Sequence, residues 1–375
     1  MIRAAIIGTG AITLTEHLPA LTADPRIEIV AVCDIDGEKA RAVADEHGIP
    51  SSYSSSDELL AAERPDLVAI ATPPGAHRDQ VIAALDAGAW VWCEKPPMLS
   101  LADYDAVAAH EGENGPYVSY IFQQRFGATA DRLRRHVDEG TLGRPLVVTC
   151  DTLWYRGDDY FAAPWRAKWA TEGGGPTMGH GIHQTDMVLS ILGDWSEVTA
   201  AMGRLGRDTE TEDVSFAIVR FANGAMMSVA NSLLSPRETS SVRFDFERAT
   251  VELEHLYGYT NDDWTWTPAT GVTPAEAATW PAEPEDGRRA HALHLAHMLD
   301  AYERGERPRV SGADGRRSLE LAAGMYKSAL TGRAVSREEL APGDPFYDAM
   351  CGADPADATA RIRRGTLRAS LDDAR

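Results

Sequence analysis

Roughly the first 120 residues alternate short apolar runs with stretches of helical spacing, and this rhythm restricts the fold more than any other feature of the chain. Ile2–Ile7, Ile27–Cys33, Leu67–Ala71, Ala89–Cys93 and Tyr117–Tyr120 read as strands. Between them Leu18–Leu21, Lys39–Glu46, Asp57–Ala62, His77–Ala87 and Leu101–His110 read as helices. Strand and helix in turn, joined by short links, is the pattern of an α/β doubly wound parallel sheet. Such sheets bind ligands in the crevice beyond the carboxyl ends of their strands, so the residues that follow each apolar run carry the chemistry.

After the first run comes Gly8-Thr9-Gly10-Ala11-Ile12-Thr13, a glycine turn between a strand and a helix. Gly8 permits the tight turn, and Gly10 lets a pyrophosphate approach backbone N–H groups at a helix N-terminus. Ala11 and Ile12 continue that cradle, while Thr13 stands where a third glycine would complete the dinucleotide fingerprint. Asp34 ends the second run, at the spacing of a carboxylate that binds adenine ribose hydroxyls. A carboxylate there repels the extra phosphate of NADP, and no arginine follows at Ile35 or Asp36, so NAD is favoured over NADP. Asp34 is also placed to cap the helix that begins near Asp36. Thr72, Pro73 and His77 follow the next run and are expected on the nicotinamide side of the cofactor. Glu94-Lys95-Pro96 ends the Trp-rich run, and the proline fixes the backbone so that the Lys95 ammonium is held in one place.

Beyond about residue 125 the texture changes. Ala128–Asp138 reads as a helix and Leu146–Tyr155 as a strand that carries Trp154, followed by an aromatic loop with Tyr160 and Trp165. Val214–Phe221 and Ala225–Leu234 flank Asn223-Gly224, a pair suited to a type I′ hairpin. Val242, Phe244 and Phe246 alternate with charged residues, as do Val251 and Leu253, the mark of a sheet with one dry and one wet face. Helices are expected at His291–Tyr302 and Gly315–Leu330, and a helix or loose tail from Asp354.

At 375 residues two domains are expected, and 44% apolar with 25% charged residues is the composition of a soluble globular protein. A formal charge of −21 repels phosphate backbones and anionic lipid, which argues against nucleic-acid and membrane partners. No apolar stretch approaches the roughly 18 residues needed to span a bilayer. The four cysteines are widely spaced with no C-x-x-C pair, as expected for reduced core thiols in a cytoplasmic protein.

The set Gly8-Thr9-Gly10, Asp34, Thr72-Pro73, Glu94-Lys95-Pro96 and the block from Gly173 through His180 and His183 to Asp186 resembles the Gfo/Idh/MocA oxidoreductase family. The resemblance runs from residue 1 to about 350. It implies a Rossmann domain over 1–122, an α+β domain with an open-faced antiparallel sheet for substrate and oligomerisation over 123–345, and an extension over 346–375. It further implies a nicotinamide-dependent oxidoreductase acting on a sugar, inositol or related polyol, assembled as a homodimer or homotetramer. Lys95 matches the active-site lysine and His183 the active-site histidine. Gly179 stands where many members carry an aspartate, so a Lys95–His183 pair is the arrangement left.

An ordinary lysine titrates near about 10.4 and a histidine near about 6.5, so His183 is the expected general acid/base and Lys95 the cation that stabilises the developing alkoxide. Glu94 is expected to orient or pair with the lysine, and Glu94 and Lys95 are both expected among the cofactor-binding residues. Arg125, Trp154, Tyr160, Trp165, His180 and His183 are the candidate substrate residues, with an ion pair as the other role open to Arg125 and packing as the other role of the loop aromatics. His180, His183 and Asp186 recur every three residues, but that spacing drifts around a helix, and no metal is expected. Two other activities fit the same residues: a glycosidase that uses NAD for transient oxidation and elimination, and a non-catalytic sugar- and nucleotide-binding regulator.

Overall fold

The computed structural model describes residues 1–281 and 290–364, and the chain forms two compact units. The first contains Met1–Met98 and Asp103–Gln123, joined by the segment that runs from the helix Ala290–Arg304 to Arg316. Its strands are β1 (Ile2–Ile7), β2 (Ile27–Cys33), β3 (Ser51–Tyr53), β4 (Leu67–Ile70), β5 (Trp90–Cys93) and β6 (Val118–Tyr120). Among the described residues they form a six-stranded, all-parallel sheet in the order β3-β2-β1-β4-β5-β6. This is the doubly wound order, with its switch point between β1 and β4.

Parallel strands buried on both faces must be apolar throughout, and Leu67–Ile70 and Trp90–Cys93 are buried at every position. Ile2, Ala4 and Ile6 alternate along β1 onto one face, where they pack with Leu18 and Leu21 and with Leu295, Met298 and Leu299 of the helix Ala290–Arg304. That helix therefore belongs to the first core, although it lies far along the chain in the stretch expected to form the second domain. Strand β3 had no apolar signal. It is Ser51-Ser52-Tyr53, an edge strand that needs only backbone pairing with Ala31, Val32 and Cys33 of β2.

The second unit contains Leu99–Ala102, the chain from Gln124 to the described end at residue 281, and the chain from Arg317 onward. Its strands are β7 (Pro145–Tyr155), β8 (Trp195–Arg204), β9 (Val214–Phe221), β10 (Met226–Ser232), β11 (Leu234–Phe246), β12 (Ala249–His255), β13 (Trp264–Pro268), β14 (Val335–Ser336) and β15 (Arg363–Arg364). Among the described residues these make one sheet in the order β13-β12-β11-β7-β10-β9-β8-β14, with β15 beside β8. The sheet is mixed rather than purely antiparallel, because β7 and β10 run parallel and so do β8 and β15. The inner face buries Val148, Cys150, Met227, Val229, Val219, Val242, Phe244, Val251 and Leu253, each worth about 1.5–3 kcal/mol as apolar surface removed from water. The outer face leaves Val147, Phe216, Ile218 and Met226 exposed.

The hairpin at Asn223-Gly224 differs from the expected type I′ turn. Phe221 donates to the Ala225 carbonyl and Gly224 to the Phe221 carbonyl, which makes a three-residue loop. Gly224 has φ +93°, but Asn223 is not among the residues with positive φ, and a type I′ turn requires both. The Asn223 side chain accepts from the Ala225 N–H and donates to the Leu192 carbonyl, which holds the longer loop.

The C-terminal stretch, expected as a helix or loose tail from Asp354, forms a helix and is tied in through residue 364. The helix Pro355–Arg361 receives a hydrogen bond from the Trp169 indole to Thr359, and β15 pairs with β8. Residues 365–375 lie outside the described residues. Among the described residues no helix is long and apolar enough to cross a membrane.

Candidate active site

Every expected cofactor residue of the first unit follows a strand end on the carboxyl edge of one sheet: Gly8 after β1, Asp34 after β2, Thr72 after β4, and Glu94 and Lys95 after β5. Gly8 has φ +95°, and a Cβ there would stand 2.7 Å from the Ala71 carbonyl oxygen of the neighbouring strand end, so only glycine lets the chain turn here. Gly10, by contrast, has nothing within 4 Å of a Cβ position: its surface is open. A closed crossing at Gly8 beside open space at Gly10 is the cradle that a pyrophosphate requires, so the residues fit a dinucleotide.

The incomplete fingerprint has a physical explanation. Thr13, in the third glycine position, donates its hydroxyl to the Gly8 carbonyl at 2.6 Å and so closes the turn itself. The helix that follows opens with a π-helical turn, Thr13–His17, before continuing as Leu18–Ala23.

Asp34 accepts from both the Thr9 amide (2.9 Å) and the Thr9 hydroxyl (2.7 Å), with Lys39 Nζ at 3.2 Å. Burial alone would raise its carboxyl, but the Thr9, Asp36 and Lys39 hydrogen bonds hold it below the usual range. Asp34 thus ties the glycine turn to the end of β2. Helix capping falls instead to Asp36, which accepts from the amides of Glu38 and Lys39.

Glu94 is nearly buried, and Oε1 lies 2.9 Å from His17 Nε2 while Oε2 accepts from the Lys95 backbone amide at 3.0 Å. Burial alone would raise this carboxyl, but the His17 hydrogen bond, with the charges of His17, Lys95 and His291, holds it well below the usual range. Glu94 thus holds the backbone of Lys95. His17 was not singled out in the sequence; its only signal is a position in the first helix after the glycine turn.

His77, expected on the nicotinamide side of the cofactor, turns its ring nitrogens to backbone carbonyls. It is fully buried, with Nε2 2.9 Å from the Thr72 carbonyl and Nδ1 3.1 Å from that of Pro96. Burial pushes the imidazole below its ordinary value, against the carbonyls that favour its charged form. With both nitrogens turned to the backbone, His77 braces the Thr72 turn against the loop after Lys95.

In the second unit, the glycine run and the helix Ile182–Leu192 carry the expected histidines. Their approach is another π-helical turn, Thr177–Gly181, a rare geometry that recurs at functional sites. Glu212 anchors it, accepting from the amides of Gly175 and Thr177 (3.1 Å each) and from the Tyr326 hydroxyl (2.9 Å). The approach is so close that a Cβ on Gly175 would stand 1.9 Å from the Glu212 carbonyl oxygen. His180 and His183 are both buried.

Trp154 lies edge-on to His180 with ring centroids 5.1 Å apart, and Tyr160 lies 5.7 Å from the same ring. Arg156 covers Trp154 at 4.5 Å, and Arg166 lies over both Tyr160 (4.0 Å) and Trp165 (3.9 Å). The structure thus brings Trp154, Tyr160, Trp165 and His180 into one aromatic–guanidinium cluster. Trp169, in the same loop, packs instead on Tyr326.

Arg125 takes the ion-pair role. Nε and Nη2 meet the two oxygens of Asp186 at 2.7 and 2.5 Å, and Ser318 donates to the same carboxylate at 2.6 Å. Asp186 is fully buried three residues beyond His183 on the same helix, so this pair fixes the helix that carries the histidine. Among the described residues no three His, Cys, Asp or Glu side chains converge as metal ligands.

Residues 2–122 match the model of the oxidoreductase family with an NAD-binding Rossmann fold, and residues 130–255 match the Gfo/Idh/MocA C-terminal domain. A D-xylose 1-dehydrogenase (NADP(+)) of Haloferax volcanii is 30% identical over 333 residues, 88% of this chain and 98% of that protein. A D-glucoside 3-dehydrogenase of Escherichia coli is 29% identical, over 70% of this chain and 80% of its own. Among solved structures, the WlbA dehydrogenase of Bordetella pertussis in complex with NADH and UDP-GlcNAcA is 27% identical with a TM-score of 0.79, covering 89% of this chain and 98% of that one. With a dinucleotide cradle on the first sheet, histidines on the second unit's helix and these matches over both, the chain belongs to the Gfo/Idh/MocA family of NAD-binding oxidoreductases.

Proposed function

We propose that the protein moves hydride between a nicotinamide and a secondary hydroxyl or keto carbon of a sugar, inositol or sugar derivative, with Lys95 and His183 as the working pair. The observation that carries this reading is the shared sheet edge: the glycine cradle, Asp34 and the Lys95 turn all follow strand ends on the carboxyl side of one Rossmann sheet. Gly8, Gly10, Ala11 and Ile12 would hold the pyrophosphate, and Asp34 the adenine ribose. The bound cofactor supplies the hydride acceptor, and the rest is done by side chains.

Lys95, with its backbone amide held by Glu94, presents a cation to the oxygen whose charge develops as the hydroxyl proton leaves. His183 takes that proton, since an ordinary imidazole at about 6.5 is already matched to neutral pH. The Trp154–Tyr160–His180 cluster supplies apolar faces and polar edges suited to a sugar ring. Asp34 favours NAD over NADP by charge, although Lys39 at 3.2 Å offsets part of that charge and a related dehydrogenase carries NADP in its name.

The exposed Val147, Phe216, Ile218 and Met226 give the outer sheet face the character of a homo-oligomer interface. Four buried, unpaired cysteines fit a reducing, cytoplasmic setting.

Screening free sugars and inositols with NAD and NADP, read at the absorbance of the reduced cofactor, tests the reading. His183→Ala should lower turnover at least a hundredfold while NADH affinity stays within about threefold, and Lys95→Met should nearly abolish hydride transfer. Undiminished turnover in either variant removes that residue from the mechanism.

A further inference from the structure

The sequence leaves the helix position four residues before His183 without a side chain, because residue 179 is glycine. The structure brings a carboxylate to that place from elsewhere. Glu172, just ahead of the glycine run, is only 5% exposed. Its Oε2 accepts from the Ala167 amide at 2.6 Å, and Oε1 accepts from Arg166 Nη1 at 2.6 Å. Ala167 holds a left-handed φ of +56°, which a non-glycine residue keeps only when its surroundings enforce it, so the loop is built around this carboxylate.

A Cβ placed on Gly179 would lie 3.5 Å from Glu172 Oε1. A carboxylate oxygen has two lone pairs, and the hydrogen bonds described at Oε1 use one, with Arg166. Gly179 lies in the π-helical turn and His183 in the first turn of the helix that follows, about one turn further on. Oε1 therefore lies in van der Waals contact with the place that a residue-179 Cβ would take, about one helical turn before His183. Arg166, its partner, lies over Tyr160, which in turn approaches His180.

We propose that Glu172, entering through the space left by Gly179, is the substrate-binding carboxylate of this site and accepts a hydrogen bond from a sugar hydroxyl adjacent to the reacting carbon. This rests on the reading of the protein as a sugar oxidoreductase and names the group that selects the substrate. Gly179 is then a specificity position: without its own side chain it admits the hydroxyl. The ligand class that follows is a sugar with a free hydroxyl beside the carbon oxidised.

The test measures sugar binding to the NADH-loaded protein by nicotinamide fluorescence, which needs no turnover, alongside steady-state kinetics. Glu172→Gln should weaken sugar binding and raise KM at least tenfold, with NADH affinity unchanged. On a deoxy analogue lacking the adjacent hydroxyl, wild type and variant should be equal. Gly179→Asp in the Glu172→Gln background should recover at least a third of the lost affinity, which a carboxylate that merely braces Ala167 would not allow. Should Glu172→Gln fold poorly, Gly179→Ser leaves the brace intact. Its Cβ fits at 3.5 Å, its hydroxyl occupies Oε1, and it should weaken sugar binding at least fivefold.

Unchanged sugar binding in Glu172→Gln or Gly179→Ser overturns the assignment, as does an unrescued loss that is the same on the deoxy analogue. A wild type that binds sugar without transferring hydride would defeat the redox reading and leave Glu172 standing.

Discussion

Glu212 couples the stability of the second unit to pH, and the direction of that coupling follows from its surroundings. The side chain is buried under the glycine run, and burial pushes its carboxyl from an ordinary 4.5 up to about 7, against the hydrogen bonds from Thr177 and Tyr326 that favour its charge. A raised folded pKa means that the native state holds the proton more tightly than the unfolded chain. Its stabilising contribution is therefore complete below pH 4.5 and is lost as pH rises through about 7. The gap corresponds to about 3 kcal/mol, or roughly 6–12 °C in Tm for a unit of this size.

Denaturant melts of wild type and Glu212→Gln from pH 4 to 8 read this out. Glutamine turns an amide toward one of the backbone donors from Gly175 and Thr177, so the variant is weaker at every pH, but its carboxamide does not titrate. The advantage of wild type over the variant should therefore shrink by about 3 kcal/mol across that range. Two parallel stability profiles would refute the reasoning, and an advantage that grows with pH would reverse its sign.

Other parts of the molecule make shorter predictions. Gly8→Ala drives a Cβ to 2.7 Å from the Ala71 carbonyl at a left-handed φ, so it should cost roughly 2–4 kcal/mol in melts and abolish NADH binding by fluorescence titration. His17→Ala removes a 2.9 Å hydrogen bond from the buried Glu94 carboxylate, and a loss of roughly 1–3 kcal/mol is expected in the same melts. Because Glu94 titrates low in the fold, the stability it contributes is present above the ordinary carboxylate pKa and fades as pH falls; without His17 that contribution should be smaller and exhausted at a higher pH. Ile218→Asp, on the exposed sheet face, should shift sedimentation toward the monomer without changing the melting profile. An unchanged sedimentation coefficient would refute an oligomer interface on this face.

The parallel sheet was legible because strands buried on both faces have to be apolar throughout, and a period of strand, link and helix leaves few alternatives. The glycine turn was legible for a similar reason: Gly8 meets a neighbouring strand end so closely that no other residue fits. Strand β3 was invisible, since an edge strand of serines asks only for backbone pairing. The parallel pairing of β7 with β10 left no trace either, because alternation along a strand reports its faces and says nothing of its neighbour's direction.

The roles of individual side chains depended on partners distant in sequence. A glycine run, a histidine spacing and the lysine turn are local patterns, and they marked where chemistry was expected. That Arg125 closes on Asp186, that His77 faces two carbonyls, that Asp36 rather than Asp34 caps its helix, and that Glu172 reaches the space over Gly179 are contacts set by packing. Local sequence determines which backbone conformations and which faces are possible. Only the folded chain decides which polar groups leave water together, and each buried charge takes the partner that the tertiary structure brings within reach.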